Sequence, residues 1–336
     1  MRYIFALILF LTSQQLCAAE LEERRIFAGS QGAKTIKILS NTDTEIFAPV
    51  IEAFLEANPD LNVDYSVANS SDVHSLVVEN NEQYDIAISS AMDLQFKLAN
   101  DGYAVQVSEI GHPDWAQWRA SMFGFTMEPA VILLNKQAFD GQKLPQTRQE
   151  LIVALRSAPD KFRGKIGTYD IRTSGLGYML ATLDARSSES YWRLIEGFGN
   201  LNAEMYCCSG AMIDDLLSGK LHVAYNVLGS YAQARKNGDD MMEIITPSDF
   251  NAIMMRTALI VSGSKNQEEA KRFLSFLLSA AWTRDTSHEA RLRPINSADP
   301  DEVQQIIKLE PGLIVHLDKL KRESFLREWS DAILRE

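Results

Sequence analysis

Four loops rich in serine, threonine, asparagine and glycine follow predicted strands in this 336-residue sequence, and each leads into a predicted helix. A helix start carries unpaired backbone N–H groups and a partial positive charge, and hydroxyl side chains add further hydrogen-bond donors. Several such starts directed into one cleft would bind an anion without a cluster of lysine or arginine. The loops are Ser40-Asn41-Thr42-Asp43-Thr44, Ser89-Ser90-Ala91, Arg172-Thr173-Ser174-Gly175-Leu176-Gly177-Tyr178 and Asn226-Val227-Leu228-Gly229-Ser230-Tyr231.

Any one of these loops has an ordinary explanation, because Ser, Thr, Asn and Asp are common helix N-caps. Their repetition favours ligand binding. Asp43 either caps a helix or accepts hydrogen bonds from a ligand hydroxyl or amine, and Arg172 either pairs with an anion or is a solvated loop residue. Tyr225 and Tyr231 are better suited to packing or stacking than to metal ligation. The predicted ligand-binding residues are Ser40, Asn41, Thr42, Asp43, Ser89, Ser90, Arg172, Thr173, Ser174, Gly175, Ser209, Tyr225, Asn226, Ser230 and Tyr231.

Catalytic and metal-binding motifs do not stand out in the sequence. The stretch Gly175-Leu176-Gly177 lacks the third glycine of a nucleotide fingerprint, and there is no nucleophile elbow. We therefore predict a binding protein rather than an enzyme, with no cofactor, no metal site and no catalytic residue. The histidines, which show no metal-ligand spacing, are His74, His112, His222, His288 and His316.

The adjacent cysteines Cys207 and Cys208 leave two alternatives open. They are either two reduced, inert thiols beside a helix start, or a vicinal disulfide that shapes the loop at Ser209-Gly210 in an oxidising compartment. Neighbouring cysteines close no long loop, so the usual stabilisation by a disulfide does not apply.

The elements that must position the loops alternate between short apolar runs and helical periods. This pattern predicts an α/β fold whose mostly parallel sheets carry helices on both faces, with ligand contacts beyond the carboxyl ends of the strands. Predicted strands cover 35–39, 62–67, 84–88, 130–135, 166–169, 222–225 and 258–261. Predicted helices cover 46–55, 92–100, 147–157, a segment from about 176, 188–197, 210–218, 229–236 and 266–279.

The N-terminus has the layout of a cleaved signal peptide over residues 1–19. Arg2 precedes an apolar run at 3–11, which is too short to span a bilayer as an anchor. Gln15 and Leu16 argue against a lipoprotein signal at Cys17. We therefore expect a periplasmic protein.

The length and charge of the chain bound its organisation and its partners. A single core rarely grows beyond about 250–300 residues, so we predict two lobes, one from 30–128 plus 258–336 and the other from 129–257. The net charge of −12 argues against nucleic acid as a partner. The C-terminal stretch 310–336 is predicted to form an amphipathic helix that packs on a lobe or docks a partner.

Four stretches carry a resemblance to a known family: 84–93, Glu128-Pro129 leading to Asn135-Lys136, 174–178 and 225–231. Over residues 35–280 the sequence resembles the type II periplasmic solute-binding proteins of ABC importers. The most similar branch groups binders of ferric iron and of hexose phosphates with regulatory receptors for phosphorylated metabolites such as phosphoglycerate.

The resemblance implies two lobes that close on a solute about a hinge at Thr126 to Ala130 and in the segment before Ala258. The pocket that it implies consists of Ser40, Thr42, Ser89, Ser90, Ser174, Gly175, Asn226 and Ser230. Ferric-iron relatives use adjacent tyrosines, whereas Tyr225 and Tyr231 are separated here.

We therefore expect an ABC-importer component that binds a phosphorylated or carboxylated solute and acts as a monomer beside an inner-membrane permease. A receptor for a sensor kinase ectodomain and a ferric-iron binder remain the alternatives.

Overall fold

The computed structural model describes residues 20–31, 34–236, 241–283, 292–298 and 305–334; the predicted signal peptide and His288 lie outside them. The strands are β1 (Glu23–Ala28), β2 (Lys34–Ser40), β3 (Leu61–Val67), β4 (Ile86–Ser89), β5 (Gln117–Trp118), β6 (Met122–Asn135), β7 (Ile166–Tyr169), β8 (Glu204–Tyr206), β9 (Val223–Leu228), β10 (Met242–Ile245) and β11 (Ile253–Ile260). The helices are α1 (Thr44–Ala57), α2 (Ser70–Glu79), α3 (Met92–Asn100), α4 (Arg148–Ser157), α5 (Pro159–Phe162), α6 (Gly175–Ser187), α7 (Tyr191–Asn200), α8 (Ser209–Leu217), α9 (Gly229–Arg235), α10 (Gln267–Leu278) and α11 (Lys319–Ile333).

The strands run in the order β1-β3-β2-β4-β11-β6-β9-β7-β8, and β5 and β10 also pair with β6. We call the part built on β1–β4 the first lobe and the part built on β7–β9 the second lobe. Strand β2 is parallel to β3 and β4, and β7 is parallel to β8 and β9. The other strand pairs are antiparallel, so the sheet is mixed. The predicted two-lobed α/β fold is confirmed.

Two antiparallel strands, β6 and β11, connect the lobes. The first half of β6 pairs with β11 from Phe123 to Pro129, and its second half pairs with β9 from Ala130 to Leu134. The sequence predicts a strand only from 130 onward. The structure extends it back to Met122, because both halves find hydrogen-bonding neighbours in the sheet.

The C-terminal segment differs from the prediction of one continuous helix. A 3₁₀ helix, Pro311–Leu317, ends at Asp318, whose side chain then caps α11 by accepting from the N–H of Lys321. The 3₁₀ helix packs on α3 of the first lobe, whereas α11 packs on α7 of the second. The predicted first lobe includes all of 258–336, whereas α11 within it packs on a helix of the second lobe. None of the described helices is long and apolar enough to cross a membrane.

The buried side of α11 explains this placement. Phe325, Trp329 and Ile333 are buried, and the ring of Phe325 lies 5.5 Å from that of Trp192 on α7. Leu320, which the amphipathic pattern places on the same apolar side, is 75% exposed. The helix thus covers the second lobe with one face, as the packing alternative predicts.

Candidate ligand-binding cleft

Helix starts from both lobes meet at one cleft. The first lobe contributes the loop before α1 and the start of α2, and the second lobe contributes the starts of α6, α8 and α9. The cleft is lined by Glu22, Asn41, Asp43, Ala68, Asn69, Ser70, Tyr169, Ser174, Leu176, Cys207, Cys208, Ser209, Leu228 and Tyr231. The predicted convergence of loops from both lobes is therefore present in the geometry.

Three hydrogen bonds cross this cleft. The N–H of Leu176 donates to Ser70 Oγ at 2.9 Å, and Ser71 Oγ donates to the carbonyl of Thr173 at 3.0 Å. The N–H of Asp43 donates to Tyr231 Oη at 3.1 Å. Because these bonds join the lobes directly, the structure represents a closed conformation, with a remaining cavity of about 50 Å³.

Gly175 lies at a close contact between the two lobes. A Cβ atom at this position would lie 2.6 Å from Leu94 Cδ1 and 3.1 Å from both Ser70 Oγ and Ser71 Oγ. A side chain here would push the start of α6 away from the first lobe. The predicted site residue Gly175 therefore serves closure through its lack of a side chain.

Several of the predicted hydroxyl contacts shape their own loops. Ser40 Oγ accepts from the N–H of Thr42, and Ser89 Oγ accepts from the N–H of Ala91. Ser174 Oγ accepts from the N–H of Gly177 at 3.2 Å, as an N-cap does. These oxygens retain lone pairs, so their role toward a ligand stays a prediction.

Asn41 and Ser90 hold two first-lobe loops together. The side-chain amide of Asn41 donates to Ser90 Oγ at 2.9 Å, and its oxygen accepts from the N–H of Ser90 at 3.1 Å. In the second lobe, Ser209 Oγ lies 2.6 Å from Tyr169 Oη and accepts from the N–H of Leu228. Both pairs fix the positions of helix starts at the cleft.

Asp43 is the acidic group most enclosed by closure. Burial raises the pKa of its carboxyl group, and Tyr231, Arg256 and Arg235 partly counteract this shift. The carboxylate faces the start of α8, where a Cβ on Gly210 would lie 3.8 Å from Oδ2. Asp43 can therefore accept a hydrogen bond from a ligand hydroxyl or amine.

A buried arginine that the sequence prediction missed lies on a strand that connects the lobes. Arg256 on β11 is 1% exposed, and its Nη1 lies 3.2 Å from Glu128 Oε1 on β6. This contact is close enough for an ion pair but is not aligned as a hydrogen bond, and Nε and Nη1 have no hydrogen-bond partner among the described residues. The charge of Arg256 counteracts the rise in the pKa of Asp43 and of Tyr231, two residues that line the cleft, although Arg256 is not itself among the lining residues.

Other buried polar atoms, mostly from the segments that flank Asp43 and Tyr231, also lack a hydrogen-bond partner among the described residues. The hydroxyl groups of Thr42, Thr44 and Ser230, together with Glu128 Oε2, are buried without a hydrogen-bond partner within the described ranges. A buried polar group costs free energy when it lacks a partner. A charged residue inside an apolar strand was the available signal, because Arg256 interrupts the run at 253–261.

Tyr225 and Asn226 belong to a buried hydrogen-bond network in the second lobe. Arg148 Nε donates to Tyr225 Oη at 2.7 Å, and Tyr225 Oη donates to Asp184 Oδ2 at 2.6 Å. Asn226 Nδ2 donates to the same carboxylate at 2.8 Å. Their polar atoms are thus engaged in the interior of the second lobe and neither residue lines the cleft, so ligand binding by them stays a prediction.

The side chains of Arg172 and Thr173, which the sequence analysis also assigns to the ligand site, lie outside the cleft lining. Arg172 pairs with Asp170, Nη2 to Oδ2 at 2.7 Å, on the exposed surface, and this pairing lowers the pKa of Asp170. Thr173 meets the first lobe through its carbonyl group, while its side chain is exposed. Neither side chain lines the cleft.

The two cysteines are free thiols that line the cleft. The thiol of Cys207 donates to Cys208 Sγ at 2.9 Å. Desolvation of its sulfur, together with the contact to Cys207, raises the pKa of Cys208 to about 12. The structure thus shows the reduced pair of the two alternatives. The described residues contain no group of three or more His, Cys, Asp or Glu side chains placed to hold a metal ion.

Residues 40–284 match the model of the bacterial extracellular solute-binding protein family. The chain belongs to this family. A solved structure from Agrobacterium tumefaciens, the substrate-binding protein of an ABC transporter, is 30% identical with a TM-score of 0.87, covering 94% of this chain and 99% of that chain. No curated protein matches the sequence.

Two further solute-binding structures share the fold. AfuA from Actinobacillus pleuropneumoniae, with fructose 6-phosphate bound, is 14% identical with a TM-score of 0.73, covering 90% of this chain and 99% of that chain. Iron-bound HitA from Pseudomonas aeruginosa is 15% identical with a TM-score of 0.66, covering 89% and 99%. The resemblance to the type II branch is therefore confirmed.

Proposed function

We propose that this solute-binding protein delivers a small solute to the permease of an ABC importer, and that the solute carries an anionic group and hydroxyl groups. The Agrobacterium protein, similar over nearly its whole length, supports the importer assignment. We further propose export by the predicted signal peptide and action as a monomer in the periplasm.

The observation that carries the solute class is Arg256. Two of its nitrogen atoms are unpartnered among the described residues, and its charge acts on Asp43 and Tyr231, which line a cleft that also collects helix starts from both lobes. A phosphate or carboxylate there would supply the missing acceptors and would be favoured by the helix dipoles. Asp43 and Glu22 at the same cleft supply acceptors for hydroxyl groups. The fructose 6-phosphate bound to AfuA has both kinds of group.

Ferric iron suits this cleft less well. Burial raises the pKa of Tyr225 and of Tyr231 well above the ordinary value, so neither is readily available as phenolate. Tyr225 is engaged by Asp184, and Tyr231 accepts from the backbone of Asp43. For a sensor kinase, a free apolar face on α11 would be favourable, but that face is covered by α7.

The mechanism is closure about β6 and β11. A cavity of about 50 Å³ has room for only a few water molecules, since each needs about 10–15 Å³ of such space. A metabolite therefore enters through an open form, and closure then brings both sets of helix starts onto it. The solute shifts the equilibrium by its higher affinity for the closed form.

The test is calorimetric titration with fructose 6-phosphate, 3-phosphoglycerate, succinate, putrescine and ferric citrate. We expect binding of at least one of the organic phosphates or succinate. Binding of putrescine or ferric ion alone would overturn the solute class. Fructose serves as the matched control for fructose 6-phosphate, and equal affinity for the two would remove the role of the anionic group.

A further inference from the structure

Cys207 and Cys208 occupy the junction between β8 and α8, on the second-lobe side of the cleft. Both residues are exposed, and both thiols lie together. Cys208 is the residue that precedes α8, and its backbone is extended. Across the cleft lie Asn41 and Asp43 of the first lobe. The pair thus faces solvent and the opposite lobe at once.

We propose that Cys207 and Cys208 form a redox-modification site, at which an external disulfide oxidises the pair to a vicinal disulfide and thereby disfavours lobe closure. The family is extracellular, and disulfides form and persist outside the cytoplasm. This inference does not depend on the identity of the solute.

The reaction is two successive thiol–disulfide exchanges with a small-molecule or protein disulfide. One cysteine loses its proton and attacks the external disulfide as a thiolate, which forms a mixed disulfide, and the released sulfur takes up a proton as the first thiol. The neighbouring cysteine then loses its proton and attacks the protein sulfur of that mixed disulfide, which releases the second thiol. In total the protein loses two protons and two electrons, and the external disulfide gains them.

The effect on closure follows from the position of the ring. Joining the sulfurs of adjacent residues includes their shared peptide group in a small ring and changes the backbone just before α8. In the closed form this backbone has little room, because the cavity beside it is about 50 Å³ and Gly210 faces the carboxylate of Asp43. Opening of the lobes would move Asp43 away from this backbone.

The first experiment equilibrates the purified mature protein with mixtures of reduced and oxidised glutathione, followed by acid quenching and mass spectrometry. We expect the wild type to lose two hydrogens without keeping glutathione. Cys207→Ser and Cys208→Ser each leave one thiol, so they are expected to end as a glutathione adduct or a free thiol. A wild type that keeps both thiols, or that carries glutathione, would overturn the site.

The second experiment compares amide hydrogen exchange in the reduced and oxidised protein. The N–H groups of Leu176 and Asp43 report on closure, since each donates across the cleft. We expect severalfold faster exchange of both after oxidation, and no redox effect in the variant C207S/C208S. Equal exchange rates in the two redox states of the wild type would overturn the link to closure.

Discussion

Two buried arginines in this chain differ in how many of their hydrogen-bond donors have a partner. Arg148 in the second lobe donates to Tyr225, Asp184, Asp249 and the carbonyl group of Phe250. Arg256 at the hinge is as deeply buried but has a single ion pair with Glu128, and two of its nitrogen atoms are unpartnered among the described residues.

The difference separates a residue that builds a lobe from one suited to a ligand. A satisfied network fixes one arrangement of side chains, whereas unsatisfied donors gain free energy when an acceptor arrives. Arg148 holds α4, α6 and β9 together, and Arg256 lies on a strand that connects the lobes. The predictions below test this contrast.

The largest effect is expected on the side of Arg148. Arg148→Ala leaves Asp184 buried without its charged partner, and breaking a buried ion pair in this way costs about 3–5 kcal/mol. Urea unfolding of the ligand-free variant measures the loss. Arg172→Ala, at the exposed pair with Asp170, is the matched control and is expected to change stability little. Equal stability of the two variants would remove the structural role of Arg148.

A buried acid without an arginine contact provides the second test. Burial raises the pKa of Asp93 to about 7, although its own and the neighbouring backbone N–H groups oppose the shift. The folded protein therefore holds this proton more tightly than the unfolded chain. The resulting stabilisation is complete below the ordinary pKa near 3.8 and is lost as pH rises through about 7.

The loss amounts to at most about 4 kcal/mol, because each tenfold change in the affinity of the carboxylate for its proton corresponds to about 1.4 kcal/mol. Urea unfolding between pH 4 and 8 measures it. Asp93→Asn is expected to flatten this dependence, whereas the control Asp101→Asn, at an exposed ion pair, should retain it. An unchanged slope in Asp93→Asn would contradict the assignment.

Removing the hinge pair is expected to affect binding more than stability. In the double variant R256Q/E128Q both buried charges are replaced together, so neither remains uncompensated. Affinity for an anionic solute should fall by about 1.5–3 kcal/mol, the typical contribution of a hydrogen bond to a charged group. Titration with whichever anion binds the wild type measures it, and R172Q should retain wild-type affinity. A similar loss of affinity in R172Q would indicate that the anion binds at the loop after β7 instead.

The smallest effect concerns the loop serines. Ser174→Ala removes the cap of α6 and the accompanying hydrogen bond to Gly177, for about 1 kcal/mol of stability. If Ser174 also binds the solute, affinity falls by a further 1–3 kcal/mol or so. Thermal unfolding and calorimetry on one preparation separate the two contributions. Unchanged affinity together with lowered stability would show that Ser174 caps α6 but does not bind the solute.

Much of the fold was predictable because its elements are marked locally. The strand Ile166–Tyr169 and the helix Gln267–Leu278 follow from apolar period and flanking residues, and both agree with the prediction within one residue at each end. The loops at the cleft were also predictable, since they follow strands whose carboxyl ends meet at one edge.

What the sequence did not reveal depends on contacts between distant residues. Tyr225 stands at the end of the predicted strand 222–225, where ligand residues are expected, but Asp184 lies 41 positions away and accepts the hydrogen bond of its hydroxyl group. Arg256 was missed because only the pairing of β11 with β6 brings it close to Glu128 between the lobes. The packing of α11 on the second lobe depends on Gly199 of α7. A Cβ there would lie 2.4 Å from the carbonyl oxygen of Ala332, so only glycine allows the two helices to approach this closely.

The C-terminal segment has a mechanical consequence. Its 3₁₀ helix rests on α3 of the first lobe and also receives a hydrogen bond from Tyr178 of the second lobe, Oη to the carbonyl of His316 at 2.6 Å. Beyond Asp318 the chain continues onto the second lobe as α11. Rotation of one lobe away from the other must therefore stretch or swivel this tether at Asp318. The angle through which the lobes can open is therefore limited by the length of this segment as well as by the bending of β6 and β11.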